Sequence, residues 1–468
     1  MVNVTSRLFA VQEVTTARPS VAVPKPQVVA TEDDLTPVAG VALWGPLLDR
    51  LNLIDVADEL VLRQIGPGGY TGGECYRTLV ETLLAGGDFL SDVDLLRDEA
   101  TAKLRGPHVL PSHDTLWRFC DRADLGRVSR AAAVNRVMLA RAWEAGAAPA
   151  PGVLTIDPDA TKVATYGHTK QGSTFSYNYT GTCLHPIVGV FAETGEVCAI
   201  RSRGGNANPG RSLGSFVNEC IAAVPEHRRG DYRLWVRIDS AGYAEDVVDT
   251  CETHDAWFSI TAKKNTKILG AIEALATDPN IKWRRAKGHE KRLGSQIAET
   301  TITFAGRQTR LVVRRQRAGA DGDAQLSLDD VDGWRFHAII TNIPRRQRNA
   351  VNIEAHHRLR GGIPEDAIRG LKEGFGFNHA PLSDFFGNWL WEHACALAYN
   401  TSAWLRRLAL PDTFARIRTK RLRLTLFNVP ARVGTHARRI QLRFARHYRH
   451  AGEFATALDR LHALPAFT

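Results

Sequence analysis

The run Leu234-Trp235-Val236-Arg237-Ile238-Asp239-Ser240-Ala241-Gly242-Tyr243 reads as a buried strand that ends on an acid. Its nearly continuous apolar character suits a central strand covered on both faces. A helical pattern then runs from about Tyr243 to His254. Ligand sites of open α/β sheets stand at such strand ends. As a purely structural residue, Asp239 or Ser240 would cap the following helix.

Outward from this run, strand-like segments lie upstream at Val153–Ile156, Tyr177–Thr182, Pro186–Ala192 and Glu196–Ser202, and downstream at Trp257–Ala262. A helix is expected over 210–224. A run of strands, then helix, strand, helix, strand, predicts an α/β fold with a mixed sheet and helices packed on it. Pro149-Ala150-Pro151-Gly152 separates this core from a helical region over 35–149. Its stripes include Leu47, Leu48, Leu51 and Ile54, then Tyr76, Leu79, Val80 and Leu83. Residues 1–34, rich in Pro, Val and Thr, read as a flexible arm. Residues 263–345 carry strand-like runs and read as a β-rich insertion. The core resumes over 346–410, and 411–468 read as a basic helical tail.

Three acids stand at the ends of these elements. In Ile156-Asp157-Pro158-Asp159-Ala160-Thr161, two carboxylates leave the strand end on one side, because side chains alternate. Pro158 is expected to end ladder pairing there. An Asp-Pro-Asp turn explains the segment equally well. Asp239 is the second. The third, Glu365, follows Gly361-Gly362 and Pro364 at a helix start, where the helix dipole favours an acid in any case. Arg369 and Lys372 follow it at i+4 and i+7, close to one face. Carboxylates at strand ends can hold Mg²⁺, and a two-ion clamp suits phosphodiester chemistry.

The 468-residue chain carries 60 Lys and Arg against 50 Asp and Glu, a net charge of +10. That balance favours a polyanionic partner. The excess is concentrated after Trp404, where Asp412 is the only acid as far as Arg449. No apolar run approaches the roughly 18 residues needed to span a bilayer. No secretory signal is visible at the N-terminus, so a cytoplasmic location is expected. The seven Cys are scattered without a Cys-x-x-Cys pair, which argues against a disulfide framework or zinc ribbon.

The order Asp159-Ala-Thr, then Arg237-Ile-Asp-Ser-Ala-Gly-Tyr243, then a Glu with Lys seven residues on, resembles the DDE transposases of bacterial insertion sequences. The likeness is strongest to the thirteen-eighty group, within the wider set that includes the insertion-sequence-four type. Tyr166-Gly-His-Thr-Lys-Gln-Gly172, Arg201-Ser-Arg-Gly-Gly-Asn206 and Asn378-His-Ala-Pro381 are similar to that group too, and the likeness runs from about residue 40 to 410.

The resemblance implies an RNase H-like core, split by a β insertion before the last acid. It implies a transposase that binds terminal inverted repeats, cuts them with Mg²⁺ (or Mn²⁺) and joins the 3′-OH to target DNA as a homodimer. The catalytic acids map to Asp159, Asp239 and Glu365, with Asp157 competing for the first place. The family's Tyr-x-x-Arg…Glu…Lys motif maps onto His357, Arg360, Glu365 and Lys372, with His in place of Tyr and one extra residue before the Glu. These, with Arg369, are the implied phosphate-binding groups. Further expected DNA contacts are Arg237, Arg201, Arg203, Lys263, Lys264, Lys267, Arg284, Arg285, Lys287, Arg418, Lys420 and Arg421. Trp283 or Trp334 is a candidate to stack on a flipped base, though core packing explains either. A nuclease that cuts without joining and a non-catalytic DNA-binding derivative share these features. The helix start at Leu110–Phe119 is a candidate part of a helix-turn-helix.

Overall fold

The computed structural model describes residues 34–60, 69–167, 169–176, 180–319, 333–415, 417–436 and 439–468. Residues 1–33 of the expected arm, part of the Tyr177–Thr182 strand, and Arg416 and Arg438 of the basic tail lie outside the described residues.

After β1 (Leu35–Thr36) come helices α1 (Val41–Arg50), α2 (Leu53–Glu59), α3 (Gly72–Ala85), α4 (Glu99–Arg105), α5 (His113–Asp121) and α6 (Leu125–Ala142). Side chains at the starts of α3 to α6 satisfy free N–H groups, as expected of Ser, Thr and Asp. Ser112 accepts from Thr115 N at the start of α5, and Thr71 and Glu74 form a reciprocal capping box on α3. The predicted stripes point inward: Leu47, Leu48, Tyr76, Leu79, Val80 and Leu83 are fully buried.

The chain then builds β2 (Gly152–Ala160), β3 (Val163–Ala164), β4 (Thr174–Phe175), β5 (Thr182–Leu184), β6 (Ile187–Phe191) and β7 (Val197–Arg201). α7 (Leu213–Ala222), β8 (Tyr232–Ile238), α8 (Glu245–Thr253), β9 (Trp257–Thr261) and α9 (Thr266–Thr277) follow. Next come β10 (Arg284–Arg285), α10 (His289–Arg292), β11 (Gln296–Phe304), β12 (Arg307–Arg317) and β13 (Trp334–Thr341). Among the described residues these form a nine-stranded sheet in the order β10-β11-β12-β13-β9-β8-β2-β6-β7. β2, β6 and β7 make an antiparallel meander, and β8 and β9 run parallel to β2. The strands of 284–341 continue this sheet, because β13 pairs antiparallel with β9.

Three helices return across the sheet: α11 (Ala350–Arg358), α12 (Ile363–Gly374) and α13 (Phe385–Leu408). α13 is buried along nearly its whole length, so Trp391, Tyr399 and Trp404 are core residues. α13 packs on α3, α6 and β7, joining the helical region to the sheet.

The expected helical tail is corrected. After the short α14 (Thr419–Leu422) come antiparallel strands β14 (Ala431–His436) and β15 (Arg439–Phe444), then α15 (Ala451–Ala463). Ala-Arg-Val-Gly and Ile-Gln-Leu-Arg-Phe alternate with period two, which places Ala431 and Val433 inward and Arg432 and Arg443 outward. No helix among the described residues is long and apolar enough to cross a membrane.

Candidate active site

β2 and β8 lie side by side and parallel, so their carboxyl ends open on the same edge of the sheet. Asp159 lies near the end of β2, and Asp239 follows β8 directly. Pro158 ends pairing on one side only, a correction to the expected stop. Pairing with β8 ceases at Ile156↔Val236, while pairing with β6 continues to Ala160↔Ile187. The Thr155 carbonyl accepts from Ala192 beyond β6. By alternation, the missing N–H of Pro158 faces the other side, where no ladder bond is needed.

Asp239 caps the turn Ser240–Gly242, its Oδ1 accepting from Ala241 N at 2.9 Å. Capping leaves Oδ2 available, so the structural and chemical roles coexist. The turn after α11, Leu359–Gly361, delivers Arg360 onto both acids. Arg360 Nη2 stands 3.0 Å from Asp159 Oδ1 and 3.8 Å from Asp239 Oδ2. Its Nε is buried without a hydrogen-bond partner.

Glu365 lies in the first turn of α12 and is exposed. Pro364 and the acids Glu365 and Asp366 suit a helix start, while Ala367, Ile368 and Leu371 bury the opposite face. Burial pushes the Asp159 carboxyl above its ordinary value; Arg360 pulls it back, and Asp239 and Glu365 raise it further. The three acids and Arg360 therefore share one electrostatic environment. Among the described residues, no three His, Cys, Asp or Glu side chains stand close enough to hold an ion as they are. Instead, the guanidinium spans the gap between Asp159 and Asp239.

Lys372 Nζ donates to the Lys162 carbonyl at 2.6 Å, and burial lowers its pKa. The ammonium thus ties α12 to the loop after β2. Arg369 ion-pairs with Asp366 and lines a cleft with Arg418 and Lys420.

Several expected site residues are structural. Asp157 is fully buried, with Arg237 Nε at 2.7 Å and Nη2 at 2.5 Å from its two oxygens. Arg237 is only 1% exposed, and its Nη1 donates to the His356 carbonyl at 2.5 Å. Neither side chain is open to an ion or to DNA. The pair instead links β2 and β8 to the end of α11, three residues before the turn that carries Arg360 begins. His357 is buried between Thr261 Oγ1 and Ser259 Oγ, each at 3.0 Å, and burial holds it well below the usual imidazole range. It is a core histidine, not a phosphate ligand.

Arg203 is buried and donates to the carbonyls of His185, Asn208 and Pro209. Arg201 ion-pairs with Glu219 at 2.6 Å and bonds Ser212 and Ser215. Arg201 braces the edge strand against α7, and Arg203 ties His185 to the loop before α7, which corrects their expected DNA contacts. Lys263, Lys264, Lys267, Arg284, Arg285, Lys287, Arg418, Lys420 and Arg421 are exposed.

Trp283 is half-buried in an alternating stack that the sequence did not reveal. The Arg315 guanidinium lies 4.0 Å from the Trp283 ring and 4.5 Å from Trp334, with Arg317 4.1 Å from Trp334 on the same strand. Such contacts are worth about 0.5–1 kcal/mol each at an exposed site. A signal existed: Arg315 and Arg317 are two apart on a strand and so share a face.

The family described as Transposase DDE domain group 1 matches residues 33–466. No curated protein matches. Among solved structures, a chain of the piggyBac transposase synaptic complex with hairpin DNA is similar over 82% of this chain and 78% of its own. The two are 12% identical, with a TM-score of 0.43.

Proposed function

The chain belongs to the Transposase DDE domain group 1 family, and from that premise we propose that Asp159, Asp239 and Glu365 form the carboxylate set of a DNA-cutting and DNA-joining site. The observation that carries the proposal is the Arg360 guanidinium lying between Asp159 and Asp239, with the charge of Glu365 felt at Asp159. Mutually repelling carboxylates held by a single cation are a donor set for hard divalent ions. The strand order β7-β6-β2-β8-β9, with β6 antiparallel to the rest of the parallel core, supports an RNase H-like arrangement.

Mg²⁺, or Mn²⁺ in its place, would supply Lewis acidity at the attacked and leaving phosphate oxygens. The protein's own share is positioning. Asp159 and Asp239 hold fixed places at strand ends, and Glu365, exposed in the first turn of α12, would complete the set on ion binding. Arg360 neutralises the pair in the free protein and is placed to release it and bond a phosphate oxygen. Lys372 fixes α12 against the loop after β2.

Exposed Lys263, Lys264, Lys267, Arg284, Arg285 and Lys287 suit phosphate contacts. Trp283, if released from Arg315, could stack on an unpaired base. Joining two transposon ends in one complex requires a homodimer on DNA, and a cytoplasmic, nucleoid-associated location follows from that substrate. The domain limits 35–149, 150–262, 263–345, 346–410 and 411–468 belong to the same proposal, with 263–345 as the insertion. So does membership of the thirteen-eighty group of insertion sequences.

The test uses duplex DNA carrying the element's ends, a target plasmid and Mg²⁺. Asp239→Asn and Glu365→Gln are expected to abolish cleavage and joining while retaining end binding. Joined products from either variant overturn the proposal. Nicked but never joined DNA from the natural sequence would instead identify a nuclease.

A further inference from the structure

We infer that the cleft between α12, the carboxyl half of α13 and the start of α14 holds the phosphodiester backbone of a DNA strand, an inference that rests on the DNA-transposing function above. The cleft measures about 440 Å³. It begins at Asp366, one residue after Glu365, and follows α12 as far as Gly374. That stretch of helix is about 12 Å long. A strand held at the acids would thus find a path along the helix that carries Glu365.

Arg406 of α13 lines this cleft and is half-buried. Its Nε donates to the Ser402 carbonyl at 3.3 Å and its Nη1 to the Ile417 carbonyl at 3.0 Å. These bonds fix the guanidinium and leave Nη2 without a partner among the described residues. Burial lowers the Arg406 pKa, and no carboxylate offsets it. A cation desolvated in this way gains from an anion brought to it.

Tyr399 is the second observation. Its ring is buried, yet its hydroxyl has no hydrogen-bond partner among the described residues. A buried Tyr hydroxyl ordinarily finds one. Tyr399 lines the cleft with Gly195, and a Cβ on Gly195 would stand 3.9 Å from Tyr399 Oη. A Cβ on Gly370 would meet the ring at 2.9 Å, so glycine in the middle of α12 lets the helix close on it. The rim carries Arg369, Arg418 and Lys420 against Asp366 and Glu373. Arg369 is taken up by Asp366. Arg418 and Lys420 are exposed and pair with no carboxylate among the described residues. A guanidinium and a hydroxyl at the floor, with two free cations above, are donors that phosphate oxygens accept from.

The experiment measures binding of the full chain to a roughly 30-base-pair mixed-sequence duplex by fluorescence anisotropy across a salt series. Tyr399→Phe removes one hydroxyl and no charge. It should weaken binding about 5-fold without changing the log–log salt slope, and its melting temperature should stay level or rise. Paired substitution of Arg418→Gln with Lys420→Gln should weaken binding about 10-fold or more and lower the slope by roughly 2. Unaltered affinity in Tyr399→Phe, with the unmodified protein still bound, overturns the cleft alone, even where the paired variant binds weakly. An unmodified protein that binds no duplex overturns the cleft and the DNA-transposing function together. Inorganic phosphate bound in isothermal titration and lost in Tyr399→Phe, with duplex affinity unaltered, would assign the cleft to a free anion and overturn the DNA strand.

Discussion

Asp157→Asn and Asp159→Asn, two residues apart on one strand, should fail in opposite ways. The Asp157 carboxylate is fully buried and bonded through both oxygens to Arg237, itself 1% exposed. Removing one partner of such a pair leaves an uncompensated buried charge, at a cost of about 3–5 kcal/mol. Residues 34–468 fold as one compact unit, so the unfolding entropy is roughly 0.9 kcal/mol/K. Asp157→Asn should therefore lower the melting temperature by about 3–5 °C. Asp159 is 24% exposed and holds Arg360 through one oxygen, against the charges of Asp239 and Glu365. Neutralising it removes repulsion as well as attraction, so the change should stay within about 1 kcal/mol, or about 1 °C. DNA cleavage should nonetheless be lost.

Differential scanning calorimetry and a plasmid-nicking assay on both variants provide the readout. Asp157→Leu combined with Arg237→Met should recover most of the lost stability, because a packed apolar pair avoids desolvating both charges. Equal melting temperatures for the two single variants would refute the assignment of Asp157 as a structural strut. So would nicking retained by Asp159→Asn and lost by a stable Asp157→Asn.

Two further outcomes can be measured directly. Burial pushes the Glu392 carboxyl up to about 8, with Ser202 Oγ at 3.2 Å from one oxygen and no partner for the other. Its folded value lies above its unfolded one, so its contribution is complete below about pH 4.3 and is lost as pH rises through 8. Stability should fall by up to about 1.4 kcal/mol per pH unit across that window. Glu392→Gln should flatten the dependence in urea titrations, and an unchanged slope would rule Glu392 out as its source. Arg360→Gln should tighten Mn²⁺ binding to the DNA-free protein in isothermal titration, since the ion no longer competes with a guanidinium. Weaker or unchanged binding would show that Arg360 does not occupy the cation's place.

Much of the fold was legible because burial imposes periodicity. The apolar run of β8 and the stripe of α3 each follow from one face or both being removed from water. β14–β15 also carried a clear period-two pattern, but the density of Arg and the preceding helical stretch obscured it. The acids at strand and helix ends were legible too, because Asp239 and Gly361-Gly362-Ile363-Pro364 mark where elements stop and start.

The sequence by itself determined most of the elements and which acids stand near their ends, since these depend on neighbours a few residues apart. Only the tertiary structure decided how those acids are used. Asp157 and Asp159 are chemically alike and point to the same side, yet Arg237, 80 positions away, buries one. Arg360, 201 positions away, holds the other at a half-open edge. The physical reason is that burial and charge pairing are set by the sheet's strand order, which brings β2, β8 and the end of α11 together. No spacing along the chain encodes that distance.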